Sequence, residues 1–161
     1  MGLNVFRDVV LGGDAKLIIG DILLWVENER SFYNCLNTPV DDEDSNASTI
    51  QHSEKTNSQV VKQLCKMLTS LSTVNDTDET MYQNEFQPQL QRSTAMYYKQ
   101  NCLMWLEHLS IPQYLFKIDL IILRERERTC EFLMSSSATI INETCFAESI
   151  GTHVFELVNV Y

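Results

Sequence analysis

The 161-residue sequence predicts an all-α fold, a helical bundle or stacked helical solenoid, on three observations. Apolar residues recur at the three- and four-residue spacing of helix faces along most of the chain. No segment shows the strict alternation that a half-buried strand needs. Five glycines and three prolines are too few for the turns of a sandwich or barrel.

The elements follow in order. Leu3, Phe6 and Val10 lie at helical spacing, and Gly12-Gly13 is expected to stop that helix. Asp14 is the candidate N-cap of the next one. Its apolar face is Leu17, Ile18, Ile22, Trp25 and Val26, and it is expected to end near Arg30. Residues 31–58 change character. Asp41, Asp42, Glu43, Asp44 and Glu54 stand against Lys55 alone, so this stretch holds −4 of the chain's −10. It reads as an acidic, flexible insertion. Helical periodicity returns at Val60, Val61, Leu64, Met67, Leu68 and Leu71, and Asn75–Asp78 is expected to be a loop. The next helix begins near Tyr82 and Phe86 and runs through Tyr98, Cys102, Trp105 and Leu109. It tolerates Pro88 because a first-turn proline lacks only an N–H that had no helical partner. Ser110-Ile111-Pro112 is a break and restart. The following helix uses Leu115, Ile118, Ile122, Phe132 and Leu133, and Ser135-Ser136-Ser137 is expected to end it. A further helix covers Ala138 to about Cys145. Past Gly151, the run Val154–Val158 fits helix or strand equally well.

Composition removes several function classes. An acidic chain without a basic stripe is a poor electrostatic match for nucleic-acid phosphates or an anionic membrane surface. No run approaches eighteen apolar residues, and the opening Met1–Arg7 shows no secretory leader. The five cysteines (Cys35, Cys65, Cys102, Cys130 and Cys145) are isolated, with no C-x-x-C, and read as reduced, small hydrophobes. Gly12-Gly13 and Gly20 match no phosphate loop. His52, His108 and His153 have no metal-ligand spacing, and the acidic cluster lacks the glycine and terminal glutamate of a calcium loop. Cys102 and His108, six apart, would lie on different helix faces. The expectation is therefore no catalytic residue, no cofactor and no metal.

Two patterns have double readings. Arg124-Glu125-Arg126-Glu127-Arg128 is either a solvated face with local ion pairs or a polar seam between helices, and pattern favours the solvated face. Tyr97, Tyr98, Trp105, Tyr114 and Phe116 read as core aromatics.

The order of the residues then carries a resemblance. Met1–Arg7 is similar to the end of the fifth helix of the first cullin repeat. Ile19–Arg30 resembles the family's "LL.LIE.ER" helix. Tyr82-x-x-x-Phe86 followed by Thr94-x-x-Tyr97-Tyr98, then Ile111-Pro112-Gln113-Tyr114-Leu115, then Glu125-x-x-Arg128-x-x-x-Phe132-Leu133-x-x-Ser136-Ser137 resemble further cullin-repeat motifs in the family's order. The opening, with "IGDILLWVENER" and "IPQYL", looks most like the fourth cullin subgroup, which recruits a β-propeller adaptor. The chain departs from the family in its acidic insertion, at Ile121 and Leu123, and at Gln91.

The resemblance implies a cullin-repeat-like solenoid segment. Residues 1–30 would be the end of one repeat and the start of the next, 31–58 the insertion, and 59–161 an incomplete second repeat. It implies a non-catalytic scaffold for a cullin-RING ubiquitin ligase in the cytoplasm or nucleus, working in ubiquitin-dependent protein catabolism. Leu3, Phe6, Arg7 and Val10 would face a substrate-receptor adaptor, and no segment corresponds to the RING-binding region. The competing reading is an unrelated helical module whose Asp41–Asp44 segment binds a basic partner. That binding would weaken sharply with salt.

Overall fold

The computed structural model describes residues 2–36, 47–71 and 80–158, and side chains over 13–33, 58–71, 80–154 and 157–158. Nearly all of these residues are helical, with no strand among them. They form α1 (Gly2–Leu36), α2 (Ala47–Ser70), a π-helical turn (Tyr82–Phe86), α3 (Gln87–His108), α4 (Ile111–Phe132), α5 (Ser135–Ser149), a 3₁₀ turn (Gly151–His153) and the short α6 (Val154–Val158). No described helix is long and apolar enough to cross a membrane. The chain divides into two compact units, residues 1–86 and 87–161.

In the first unit, α1 runs straight through Gly12-Gly13, where a stop was expected, and past Arg30 to Leu36. Each glycine costs about 1 kcal/mol relative to alanine inside a helix. Burial of Ala15, Ile19, Ile22 and Val26 along one side of the helix outweighs that cost, at about 1.5–3 kcal/mol for each larger side chain. The buried face keeps Ile22 and Val26 of the expected one, with Ile18 and Trp25 half-buried beside them, and departs from it at Leu17. Leu17 is exposed, and Ile19 takes its place in the core. A Cβ added at Gly20 meets nothing, so Gly20→Ala is expected to raise stability by about 0.4–1 kcal/mol, read from the urea midpoint. A loss on Gly20→Ala would show that this helix is not continuous.

Helix α2 begins at Ala47, well before the periodicity at Val60, and presents Val61, Cys65 and Leu68 to the core. Helix thus enters the acidic stretch 31–58 from both ends. Its centre, 37–46 with Asp41–Asp44, lies outside the described residues, as does the expected loop at Asn75–Asp78. Tyr82 and Phe86 are fully buried on the π turn, their ring centroids 5.2 Å apart, where the turn meets α2. The Met81 N–H donates to the Leu71 carbonyl at 2.8 Å, which fixes that turn to the end of α2. The wide turn has a cause in Pro88. Proline has no N–H for the carbonyl four residues back and its ring crowds that group, and a π turn opens the space.

In the second unit, Ser110 is the restart predicted between α3 and α4. The Gln113 side-chain oxygen accepts from the Ser110 N–H at 3.0 Å and its hydroxyl at 2.7 Å, with Pro112 in the first turn. The serines at 135–137 begin α5 rather than end α4. The N-cap position itself falls to Met134, with no side-chain cap, and Ser137 is turned inward, its hydroxyl on Gln87. Helix α4 stops at Leu133, whose extended backbone donates back to the Thr129 carbonyl. Gly151–Val158 resolves the helix-or-strand ambiguity as helical.

Helix α5 is the centre of this unit and packs on both α3 and α4, which touch each other far less. Its inward residues Ser137, Ala138, Cys145 and Ser149 are small, so two larger helices can approach it closely. Ile141 fills the middle of that row and is completely buried.

Candidate functional site

The inward row of α4 alternates spacings of four and three: Tyr114, Ile118, Ile121, Glu125, Arg128 and Phe132. This is the spacing of a core stripe, and a carboxylate and a guanidinium occupy two of its places. Glu125 is 1 % and Arg128 6 % exposed. One Glu125 carboxylate oxygen, Oε2, accepts from the Tyr98 hydroxyl of α3 at 2.7 Å and from an Arg128 guanidinium N–H at 2.9 Å. The two charges are paired with one another, which burial requires, while the buried Arg128 Nε–H has no acceptor among the described residues. The rest of the charged run behaves as the solvated reading expects. Arg124 meets Glu127 at 3.5 Å near solvent, a pair worth little. The alternating run is thus a solvated face with one buried seam in it, and the expectation of a wholly solvated face is corrected for Glu125 and Arg128.

Polar ties join α5 to its neighbours on either side. The Ser137 hydroxyl donates to Gln87 at 2.7 Å, and Gln91 donates to the Thr144 hydroxyl at 3.3 Å, both to α3. The Tyr114 hydroxyl of α4 donates to the Ser149 carbonyl at the end of α5. The Lys117 ammonium sits 4.9 Å from the centre of the Trp105 ring, a cation–π contact between α4 and α3. Tyr97, Tyr98, Trp105 and Tyr114 are core as expected, but Phe116 is 69 % exposed and Leu115 also faces outward. The cause is register: Tyr114 and Ile118 take the inward positions, so their neighbours at 115 and 116 cannot.

The arrangement is mechanically specific and chemically quiet. Glu125 is sealed from water, and its Oε2 is held by Tyr98 and Arg128. Burial pushes the Cys65 thiol up to about 12. It pushes Cys102 up to about 11, with a Tyr114 hydrogen bond opposing and the Glu148 charge adding slightly. Neither is a thiolate near neutral pH. His108 is exposed, and its Nδ1–H donates to the Met104 carbonyl at 2.8 Å, since a carbonyl only accepts. Among the described residues no group of three His, Cys, Asp or Glu could hold a metal ion. In a Cys35→Ser background the exposed Cys130 is therefore expected to react with a thiol reagent at pH 8, while buried Cys65, Cys102 and Cys145 wait for unfolding. Because folding raises the Cys65 and Cys102 values above the ordinary 9.0, their protonated burial favours the fold fully below pH 9. That contribution declines as pH rises from 9 towards 12. Rapid labelling of more than one thiol in the native protein would contradict this packing.

The four residues expected to face an adaptor (Leu3, Phe6, Arg7 and Val10) are carried by α1, and their side chains lie outside the described residues. The structure instead brings out what sequence reasoning missed. On the side of α1 away from its core face, Leu17, Leu24 and Phe32 are exposed. The seven-residue spacing from Leu17 to Leu24 was the available signal. For Glu125 and Arg128 the signal was their position in register with Ile118, Ile121 and Phe132.

Comparison with known proteins agrees with this architecture. A family model described as the Cullin alpha solenoid domain matches residues 1–160. A curated relative, Cullin-3 of Dictyostelium discoideum, is 27 % identical over 101 residues, which is 63 % of this chain. The aligned part is 13 % of that relative, so the chain spans a small fraction of its length.

Proposed function

The chain belongs to the cullin family, and on that premise we propose that it is a non-catalytic scaffold segment. The proposed setting is a cullin-RING ubiquitin ligase in the cytoplasm or nucleus, acting in ubiquitin-dependent protein catabolism. The observation that carries the reading is the match of the cullin solenoid domain along residues 1–160. The interior of the second unit supports it. Close-packed helices tied by buried hydrogen bonds suit a spacer that must hold its partners at a fixed separation. Such a spacer works by raising the effective concentration of one partner near another.

Under this reading Leu3, Phe6, Arg7 and Val10 contact a substrate-receptor adaptor of the β-propeller kind. Phe6 and Val10 supply the apolar contact, and Arg7 a polar one. Residues 1–30 serve as the junction between two repeats, 31–58 as an acidic insertion and 59–161 as second-repeat material. The test is capture of a purified β-propeller adaptor by the chain and by its Phe6→Ala/Val10→Ala variant. The variant is expected to bind at least about tenfold more weakly, since aromatic anchors dominate such interfaces. Absence of binding by the unaltered chain, or equal binding by both, would remove the adaptor contact from this segment.

A further inference from the structure

We propose that the outward face of α1 is a docking surface for a partner helix whose apolar seam is flanked by Lys and Arg. At about 100° per residue, Leu17 and Leu24 lie within about 20° of one another and nearly opposite Ile19, Ile22 and Val26. They are 69 % and 58 % exposed. Gly13, Asp14, Gly20, Asp21 and Asn28 share this side, and all are exposed. α1 therefore has an apolar row on each of two opposite faces, and only one of them is covered among the described residues. A single exposed leucine needs no explanation, whereas a helical row of large apolar side chains marks an interaction surface.

Its relief and charge describe the occupant. Gly13 and Gly20 alternate with Leu17 and Leu24, and a Cβ at either glycine meets nothing. The face therefore has leucine knobs about 10 Å apart with notches between them, which is the shape that receives side chains of another helix. Asp14 and Asp21 lie beside the leucines and Glu27 at the edge, with Lys16 the one base along it among the described residues. Such a rim selects a basic-flanked partner. It also disfavours a second copy of this chain. An antiparallel pair centred between Leu17 and Ile18 would set Asp14 against Asp21 of its mate, and a parallel pair would set each aspartate beside its own copy. The chain's own Asp41–Asp44 has the same sign and is an equally poor occupant. This surface stands on Leu17, Leu24 and their neighbours alone, and is independent of the adaptor contacts proposed at Leu3–Val10.

The test uses the full chain and two labelled synthetic three-heptad peptides, each with a leucine seam, one with Lys flanks and one with Glu flanks. By fluorescence anisotropy the Lys peptide is expected to bind, and the Glu peptide at least about tenfold more weakly. Leu17→Glu/Leu24→Glu should weaken the Lys peptide at least about tenfold, although it adds two negative charges that would strengthen attraction without a seam. Asp14→Asn/Asp21→Asn should flatten the salt dependence, and carries the test if circular dichroism shows the glutamate variant misfolded. Several outcomes would overturn the proposal. They are no binding, equal binding of the two peptides, binding unchanged in a folded Leu17→Glu/Leu24→Glu variant or in Asp14→Asn/Asp21→Asn, and self-association of the chain that the glutamate pair dissolves.

Discussion

Arg128→Ala is expected to destabilise the second unit by about 3–5 kcal/mol, far more than loss of a solvent-side charge. The reason is what it leaves behind. Glu125 would remain buried, still accepting from the Tyr98 hydroxyl but without the Arg128 charge, and a sealed carboxylate that loses its counter-charge is costly. Tyr98→Phe should cost less, about 1–3 kcal/mol, because the ion pair survives it. Arg124→Ala, on the neighbouring solvent-side pair, should cost under about 1 kcal/mol. Replacing both buried partners together, as Glu125→Leu with Arg128→Met, should recover most of the loss, since an apolar pair of similar size satisfies the same space. Urea denaturation of the five proteins measures the series. A cost for Arg128→Ala no larger than for Arg124→Ala would mean that the seam does not form.

The second large effect belongs to Ile141. It is completely buried in α5, the one helix that packs on both α3 and α4. Ile141→Ala should cost about 2–5 kcal/mol, from lost burial plus a cavity that two helix interfaces share. Ile141→Val should cost about 0.5–1.5 kcal/mol, while Thr139→Ala, two residues away and exposed, should stay within about 0.5 kcal/mol. Amide exchange supplies a second reading: protection of the inward amides of both α3 and α4 should fall in Ile141→Ala. If only one of the two helices loses protection, α5 is not the shared support that its packing indicates.

Much of this was legible in the residues. The Ser110-Ile111-Pro112 break, the α3 aromatics and the all-helical class follow from local chemistry: capping side chains, proline geometry and 3.6-residue periodicity. The family resemblance was legible too, because it rests on an ordered set of residues. Other features were not. Gly12-Gly13 reads as a stop because local propensity opposes helix there, and packing of Ile19, Ile22 and Val26 overrides a cost of that size. Ser135–Ser137 reads as an end because serine favours helix boundaries of either kind, and nothing local says which boundary it is. Arg124–Arg128 reads as a solvated face because alternating charge usually is one. Part of the reason for Glu125 to be inside is the Tyr98 hydroxyl, 27 residues away, which no local pattern announces.

The division between sequence and structure has a physical basis. Periodicity, capping and residue order are properties of neighbours along the chain, so the sequence by itself determined a helical protein of the cullin type and the approximate places of its breaks. Burial is a property of surfaces that meet. α1 is apolar on two sides, and α4 has charge in the middle of an apolar row. Only the tertiary structure decided that Ile19 is covered while Leu17 is not, and that Glu125 and Arg128 lie inside while Arg124 and Glu127 stay near water.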